Sequence, residues 1–309
     1  MSPDLAPPSA MGGGPSLTAH DLRARRGARS LRSQLMTALM ALAVVAIAVP
    51  LVAVLWSLSS RGLGVAFADF PDFFVAEIPV VSRRTGPGMG PAILGTLLVT
   101  LGATLIAVPL GVLGAVYLNE YGGTRRFART VRFMAVVMTG VPSVVTGLFV
   151  YVLWTLNFGY SAFGGALALA CLMLPIVIGS TEQMLRLVPN HLREAAYALG
   201  ATKSRVVLTV ALPAALPGIV SGVLLAIARA AGETAPLLFT IGAATAFNPN
   251  LFDGANTALS VQIFGNATSS FGAAQDRAWG AALTLVLVAF CVTLAARLIT
   301  SRFARGSRS

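Results

Sequence analysis

The sequence predicts an all-α integral membrane protein with about six transmembrane helices, and three observations lead to that fold class. Of the 309 residues, 56% are hydrophobic and only 11% are charged, and the mean hydropathy is +0.80. A soluble domain usually carries about a quarter of its residues charged, so this chain has too few polar residues to cover a water-facing surface. Six long apolar segments, and the arginine clusters between them, are the second and third observations.

Each apolar segment is long enough to cross about 30 Å of hydrocarbon as a helix, which takes roughly 20 residues. The segments lie near residues 34–58, 91–118, 131–156, 164–186, 212–242 and 276–299. Prolines and recurrent glycines interrupt several of them, which favours a packed bundle over separate lipid anchors. Residues 63–81 are also apolar, but acidic residues and prolines break them, so we expect them at the interface, outside the membrane.

The domain organisation is one transmembrane domain, residues 34–300, between two tails. Residues 1–33 are rich in Pro, Gly and Ser and then in Arg, and we expect a disordered basic cytoplasmic tail. Residues 301–309 form a second basic cytoplasmic tail. Cytoplasmic loops carry an excess of Lys and Arg, and most of the 22 basic residues fall on the side of the two tails. Both termini are therefore predicted to be cytoplasmic, and the opposite side holds Arg61, Arg83, Arg84 and Arg277.

The sequence argues against nucleic-acid, metal and catalytic functions. The arginines behind the net charge of +11 lie between apolar runs, with few aromatic residues nearby to stack on bases. Cys171 and Cys291 lie in apolar runs, so we expect buried packing and not a disulfide or a metal site. His191 has no ligand-type neighbours, and no nucleophile–base arrangement stands out. Glu182 and Arg186 stand four residues apart and are predicted to form a structural ion pair.

A cytoplasmic loop at about 187–211, between the fourth and fifth spans, predicts a short amphipathic helix. Asn190 can cap it, and Glu194 lies in its first turn, where a negative charge suits the helix dipole. Gly200 can adopt the left-handed conformation that ends a helix, and Thr202 can cap a second short helix. The apolar face follows i, i+3, i+4, i+7 spacing: Leu192, Ala195, Ala196 and Leu199. Such a helix docks in a groove of another protein or lies on the membrane surface, and the spacing alone leaves both open.

The same loop resembles a signature of ABC importer permeases. Glu194-Ala195-Ala196, then Gly200, then Leu212-Pro213 is similar to their "EAA…G…LP" motif. The resemblance implies a type I ABC importer permease fold, in which this loop is a cytoplasmic coupling helix that docks on an ATP-hydrolysing subunit. It assigns ATPase coupling to Arg193, Glu194, Ala195, Ala196 and Gly200. The sequence contains no G-x-x-x-x-G-K-[ST] phosphate-binding loop, so we expect ATP-Mg in partner subunits and no cofactor bound by this chain.

A narrower resemblance covers most of residues 90–300. The stretches 139–147, 174–189 and 228–240 resemble the PstA-type permease of the phosphate-specific ABC importer. That family implies a multi-pass protein of the bacterial plasma membrane, which pairs with a second related permease, two ATP-binding subunits and an extracytoplasmic phosphate-binding protein. The implied function is phosphate import by alternating access, with no catalytic site in this chain. One departure is Gly179, where we expect the family to carry arginine.

Arg229 and Glu233 are a charged pair four residues apart in the predicted fifth span, so they share a helix face. A charged side chain at mid-bilayer costs roughly 2.5–3.5 kcal/mol, and such residues face a partner or a water-filled cavity. The planar guanidinium matches phosphate oxygens, and the family resemblance also points to phosphate passage here. We therefore place Arg229, Glu233 and Thr234 on the substrate path, with Arg229 as an electrostatic way-station that Glu233 orients. The alternative is an ion pair that only helps the bundle to pack.

Three other functions remain open at this point. The same architecture can carry another oxyanion, such as sulfate or molybdate, because one arginine does not distinguish tetrahedral anions. A secondary carrier or channel of a different class would move its substrate without ATP or partners, and would tolerate changes at Glu194 or Gly200. A membrane scaffold without transport would leave the proline kinks and the coupling pattern unexplained.

Overall fold

The computed structural model describes residues 28–81, 83, 88–123 and 125–306. All regular secondary structure in these residues is helical. The helices are, in chain order, α1 (Ala28–Ala66), α2 (Asp72–Val75), α3 (Gly90–Val116), α4 (Arg126–Thr139), α5 (Ser143–Val150), α6 (Leu156–Phe158), α7 (Ala162–Leu187), α8 (Asn190–Ala198), α9 (Lys203–Val206), α10 (Leu212–Ala231), α11 (Ala235–Thr240), α12 (Leu259–Ala267) and α13 (Gly272–Gly306). Segments with π-helical turns connect several of them: Tyr117–Gly122, Tyr151–Thr155 and Val207–Ala211.

The prediction of about six spans is confirmed. Within the described residues, five helical stretches are long and apolar enough to cross a membrane: Arg32–Ala66, Gly90–Gly122, Ala162–Leu187, Lys203–Ala231 and Gly272–Leu294. A sixth span is formed if the bent pair Arg126–Thr139 and Ser143–Phe158, which meet at 108°, is counted as one. The third predicted span, 131–156, is therefore not one kinked helix but two helices at a sharp angle.

Several predicted boundaries are wrong, because hydropathy detects neither the polar ends of a helix nor a break within an apolar run. Helix α1 begins at Ala28, so residues 28–33 are helical; the rest of the predicted tail, 1–27, lies outside the described residues. The second half of the predicted loop 187–211 is helical from Lys203 and continues into the fifth span. That span ends at Ala231, well before the predicted residue 242. Residues 301–306 continue α13, and 307–309 lie outside the described residues.

The chain divides into two units, Met1–Trp56 and Ser57–Ser309. In the first unit, every side chain of α1 from Arg32 to Trp56 is exposed. A helix that is apolar all round and exposed all round is typical of a segment surrounded by lipid or by another membrane subunit.

In the second unit, α7 is the central helix, and it packs against α3, α4, α5, α10 and α11. Small residues allow this close packing: a Cβ at Gly111 of α3 would lie 2.6 Å from Cγ1 of Val177, and one at Gly165 of α7 would overlap Cγ2 of Ile241. Helices in lipid associate through such contacts between small residues. The glycines therefore let the neighbouring helices lie directly against α7.

Two breaks in the helices lie beside α7. Between α4 and α5, Pro142 has no N–H to donate, and the residue before a proline disfavours the helical conformation. Between α10 and α11, Pro236 removes the N–H that a continuous helix would donate to Gly232. Helices α5 and α11, which follow the two breaks, approach closely, since a Cβ at Gly147 of α5 would lie 2.6 Å from the Cα of Pro236 in α11.

Candidate substrate path and coupling surface

A cleft of about 270 Å³ lies where the two helix breaks and α7 come together. Its lining residues are Met138, Thr139, Val141, Pro142, Ser143, Leu172, Pro175, Ile176, Arg229 and Glu233. Arg229 and Glu233 are the charged members of this lining, so the structure brings both predicted path residues to one cavity. Pro142 and Ser143 place the start of α5 in the wall, and the N-terminus of a helix carries a partial positive charge.

The Arg229–Glu233 pair is loose. Nε of Arg229 lies 3.6 Å from Oε1 of Glu233, which is longer than a hydrogen bond. The Arg229 side chain is 68% exposed and that of Glu233 is 21% exposed. Within the described part of the chain, no hydrogen bond donated by the Arg229 guanidinium is found. Its donors are therefore available to an anion that enters the cleft.

The prediction that both residues lie on one continuous helix is wrong. Helix α10 ends at Ala231, and Glu233 lies in the break that follows. Arg229 and Glu233 nevertheless lie close together, because the chain makes one more helical turn after Ala231. In this turn the Glu233 N–H donates to the Ala230 carbonyl at 3.1 Å. The Ser260 hydroxyl of α12 donates to the Glu233 carbonyl at 2.9 Å, which ties the break to a further helix.

Thr234, the third predicted path residue, is placed differently. It precedes α11, and its carbonyl accepts from the N–H groups of Leu237 and Leu238 at 3.1 and 3.2 Å. Thr234 does not belong to the described lining of the cleft. Thr234 therefore lies at the start of α11. It follows Glu233 in the sequence but does not share the lining of the cleft with Arg229 and Glu233.

The predicted coupling helix is present as α8, and most of its side chains are exposed. None of its residues is buried; Glu194 and Ala195 are exposed and Ala196 is half-buried. Leu199, just after the helix, is 89% exposed, and Gly200 has a φ of +80°, which confirms the predicted left-handed stop.

Both predicted caps of this loop are corrected. Asn190 is the first helical residue of α8, not its cap, and its Oδ1 accepts from Nη1 of Arg193 at 3.3 Å. Thr202 precedes α9 as predicted but makes no capping hydrogen bond. Its hydroxyl instead lies 3.3 Å from that of Ser204.

Arg193 is turned into the chain, unlike the other predicted coupling residues. Its side chain is 13% exposed, and Nη2 lies 2.9 Å from Oε1 of Glu120, which is 7% exposed. The same guanidinium donates to the carbonyls of Val188 and Leu185 at 2.7 and 2.8 Å. Sequence reasoning missed Glu120, although an acidic residue at the end of an apolar span was a visible signal.

The predicted pair between Glu182 and Arg186 is confirmed, with Nη2 to Oε1 at 2.7 Å. The same Oε1 also accepts from Nε and Nη2 of Arg132 at 2.9 and 2.7 Å. The Glu182 side chain is only 9% exposed, so it joins α4 to α7. A Cβ at Gly179 would meet no atom within 4 Å, so the backbone leaves room for the arginine that we expected there.

The remaining polar and sulfur residues add no second site. Among the described residues, no three His, Cys, Asp or Glu side chains come close enough to hold a metal ion. His191 is exposed. Cys171 is half-buried and Cys291 is exposed, so the expectation of burial is wrong for Cys291, whose side chain lies on the outer, apolar surface of α13.

Comparison with known proteins identifies the class. Residues 107–305 match the family model of the binding-protein-dependent transport system inner membrane component. The inward-facing MetNI methionine ABC transporter shares the fold at a TM-score of 0.50 and 20% identity, over 70% of this chain and 92% of that chain. A bacterial ABC transporter that imports the acidic polysaccharide alginate matches at a TM-score of 0.60 and 16% identity, over 88% of this chain and 96% of that chain. The chain is a multi-pass membrane permease of a bacterial ABC importer.

Closer relatives narrow the family. The "phosphate transport system permease protein PstA 1" of Mycobacterium tuberculosis H37Rv is 42% identical over 274 residues, which are 88% of this chain and 88% of the relative. The "phosphate transport system permease protein PstA" of Yersinia pestis is 39% identical over 254 residues, 82% of this chain and 84% of the relative. The chain belongs to the PstA-type permease family, as the sequence motifs predicted.

Proposed function

We propose that this chain forms, with a second related permease, the path by which inorganic phosphate enters a bacterial cell, driven by ATP hydrolysis in partner subunits. The observation that carries the proposal is the Arg229 guanidinium, 68% exposed in a cleft between two broken helices. The naming of its relatives as phosphate transport system permeases supports the choice of substrate.

The chemistry of the cleft suits an oxyanion. A guanidinium presents planar, paired donors that match two phosphate oxygens and keeps its charge at any working pH. The start of α5 adds a partial positive charge. Glu233 pairs loosely with Arg229 between transport events and is displaced when phosphate binds. Arg229 therefore binds phosphate only transiently during its passage.

The exposed helix α8 is the coupling element. Glu194, Ala195 and Ala196 lie on it, and Gly200 ends it; in the proposal this surface docks on one of two ATP-binding subunits. Those subunits bind and hydrolyse ATP-Mg, and this chain binds no cofactor and has no catalytic site of its own. Closure of the ATPases moves α8 and drives alternating access.

The orientation and the remaining partners follow from charge and family. The arginine clusters place both termini and α8 in the cytoplasm of a cell with this protein in its plasma membrane. An extracytoplasmic phosphate-binding protein then delivers substrate to the opposite side, and lipid covers the exposed apolar helices. Nucleic acid is no partner, because the basic residues flank membrane spans.

Two other functions are the outcomes against which the proposal is tested. Sulfate or molybdate is the alternative substrate, since Arg229 alone does not distinguish tetrahedral anions. An ATP-independent carrier is the alternative mechanism, which would leave the exposed helix α8 without a use.

The test is uptake of labelled phosphate into proteoliposomes that contain this chain with its candidate partners. We expect uptake that requires ATP and all partners and that resists an excess of sulfate. Uptake abolished by sulfate would reassign the substrate. Uptake by this chain alone, without ATP, would overturn the importer itself.

A further inference from the structure

A second charged pair, outside the cleft, is more buried than the one within it. Glu120 and Arg193 are 7% and 13% exposed and lie 2.9 Å apart, and 73 positions separate them in the sequence. Burying two charges is unfavourable unless they pair and make further hydrogen bonds. The pair is therefore best understood through the elements that it holds together.

Arg193 connects the coupling helix to the end of the fourth span. It is a residue of α8, and its guanidinium donates to the Leu185 carbonyl in the last turn of α7 and to the Val188 carbonyl just beyond it. The last carbonyls of a helix lack the N–H partner of a following turn. The Leu185 carbonyl accepts from the Val188 N–H at 3.3 Å, and Arg193 adds a charged donor to it and to the Val188 carbonyl. Nε of Arg193 is buried without a hydrogen bond in the described part of the chain, so the side chain is held by its Nη atoms.

Glu120 connects the same guanidinium to the π-helical segment Tyr117–Gly122 at the end of α3. Asn119 donates to Oε1 of Glu120 at 2.8 Å and so orients the carboxylate. Nη2 of Arg132 from α4 donates to the Leu118 carbonyl of the same segment at 3.4 Å. Such π segments are frequent at functional sites.

Tyr121, the next residue of this segment, contacts α9, the helix that follows the Gly200 bend. Nζ of Lys203, the first residue of α9, lies 5.0 Å from the ring centre of Tyr121, within the range of a cation–π contact. Glu120 and Tyr121 thus bind the helices before and after the Gly200 bend. Adjacent residues of one segment fix both arms of the coupling loop.

We infer that Glu120 is a positioning residue for ATP coupling, an inference that rests on the proposed function. Through Arg193 it fixes α8 against the ends of α3 and α7, so that a movement of the docked ATPase moves the spans. Without this contact, α8 bends at its connections and the movement is lost before it reaches the cleft. Arg193 accordingly acts within the chain and does not contact the ATPase.

The test compares Glu120→Gln with wild type in the full importer complex in proteoliposomes. Glutamine keeps the shape and loses the charge that compensates Arg193. We expect ATP hydrolysis stimulated by the loaded binding protein to persist, while phosphate transported per ATP falls about tenfold, since loss of one partner of a buried pair shifts an equilibrium by a factor of ten or more. Glu77→Gln, at an exposed carboxylate far along the chain from the loop, is the control and should keep the wild-type ratio.

A purely structural role would lower transport and hydrolysis together and leave their ratio unchanged, and that result would overturn the inference. If Glu120→Gln does not assemble, Glu120→Asp serves in its place, because it keeps the negative charge but withdraws the carboxylate from Arg193. A reduced ratio in that variant supports the inference, and a normal ratio overturns it.

Hydrogen exchange of residues 190–203 in the purified complex gives a readout that needs no transport. We expect the amides of α8 to exchange about fivefold faster in Glu120→Gln, since local opening becomes easier. If the wild-type complex takes up no phosphate, the proposed function fails, and the exchange rates alone decide this inference. Faster exchange then supports it, and unchanged exchange overturns it.

Discussion

Replacement of Glu182 by Gln should destabilise the bundle measurably without altering its outer surface. Oε1 of Glu182 accepts from Arg132 through two nitrogen atoms, at 2.9 and 2.7 Å, and from Arg186 at 2.7 Å. The Glu182 side chain is 9% exposed, that of Arg132 is 34% exposed and that of Arg186 is 57% exposed. Glu182 is thus a buried anion that holds α4 against α7.

The size of the effect follows from these bonds. Hydrogen bonds to charged groups contribute about 1.5–3 kcal/mol and neutral ones about 0.5–1.5 kcal/mol, so neutralising the acceptor loses about 1 kcal/mol per bond. The bond to the exposed Arg186 is screened by solvent and contributes little. The two bonds from Arg132 remain, which gives a loss of about 2 kcal/mol.

Thermal unfolding of the purified chain in detergent measures this loss. At roughly 2 °C per kcal/mol for a chain of this size, Glu182→Gln should lower the melting temperature by about 4 °C. Glu194→Gln, the same chemical change at an exposed position, should leave it unchanged. Equal melting temperatures for Glu182→Gln and wild type would show that the bonds to Arg132 do not hold α4 in place.

The remaining predictions concern transport, docking and packing. Arg229→Lys keeps the charge but loses the paired donors of the guanidinium. One lost charge-assisted bond of about 1.5–3 kcal/mol should lower the uptake rate constant about 10–100-fold, and a rate constant within twofold of wild type would contradict the role of the paired donors. Leu199→Asp, at a side chain that is 89% exposed, should abolish copurification with the ATP-binding subunit while the melting temperature stays constant, and normal copurification would remove Leu199 from the docking surface. Gly147→Ala places a methyl group 2.6 Å from the Pro236 backbone and should lower both the melting temperature and the uptake of phosphate. Gly114→Ala, whose added methyl group has its nearest contact at 3.7 Å, should lower neither. Equal behaviour of the two variants would contradict the close approach of α5 and α11.

The spans were predictable because membrane helices need about 20 apolar residues. The predicted span 164–186 corresponds to α7, Ala162–Leu187, and the motif around Glu194 correctly identified α8. Helix ends were less predictable, because polar residues continue a helix once it has formed. Lys203, for example, already begins the helical stretch that leads into the fifth span.

The breaks were only partly predictable. Pro142 and Pro236 were visible in the sequence, but a proline in a membrane helix produces a gentle kink or a full break according to its neighbours. Here Gly147 lets α5 approach Pro236 closely, and that contact depends on tertiary packing. The prediction that Arg229 and Glu233 lie close together was correct. The prediction that one continuous helix carries both residues was wrong.

Contacts between distant segments could not be predicted from spacing. Arg132 and Glu182 lie 50 positions apart, and Glu120 and Arg193 lie 73 apart. The i, i+4 rule found Arg186 as a partner of Glu182 because that pair shares one helix. Partners on different helices are determined by how α3, α4, α7 and α8 pack, which one sequence does not reveal.

The central claim is that Arg229 lies on the phosphate path, and ATP-driven uptake by Arg229→Ala in the complete importer tests it most directly. The account predicts that uptake falls by at least about tenfold, from the loss of its charge-assisted bonds, while the protein inserts and binds its partners as wild type does. Arg61→Ala removes an arginine that lies instead over the Trp279 ring, 5.2 Å from its centre, and should transport normally. Wild-type uptake by correctly inserted Arg229→Ala protein would contradict the account.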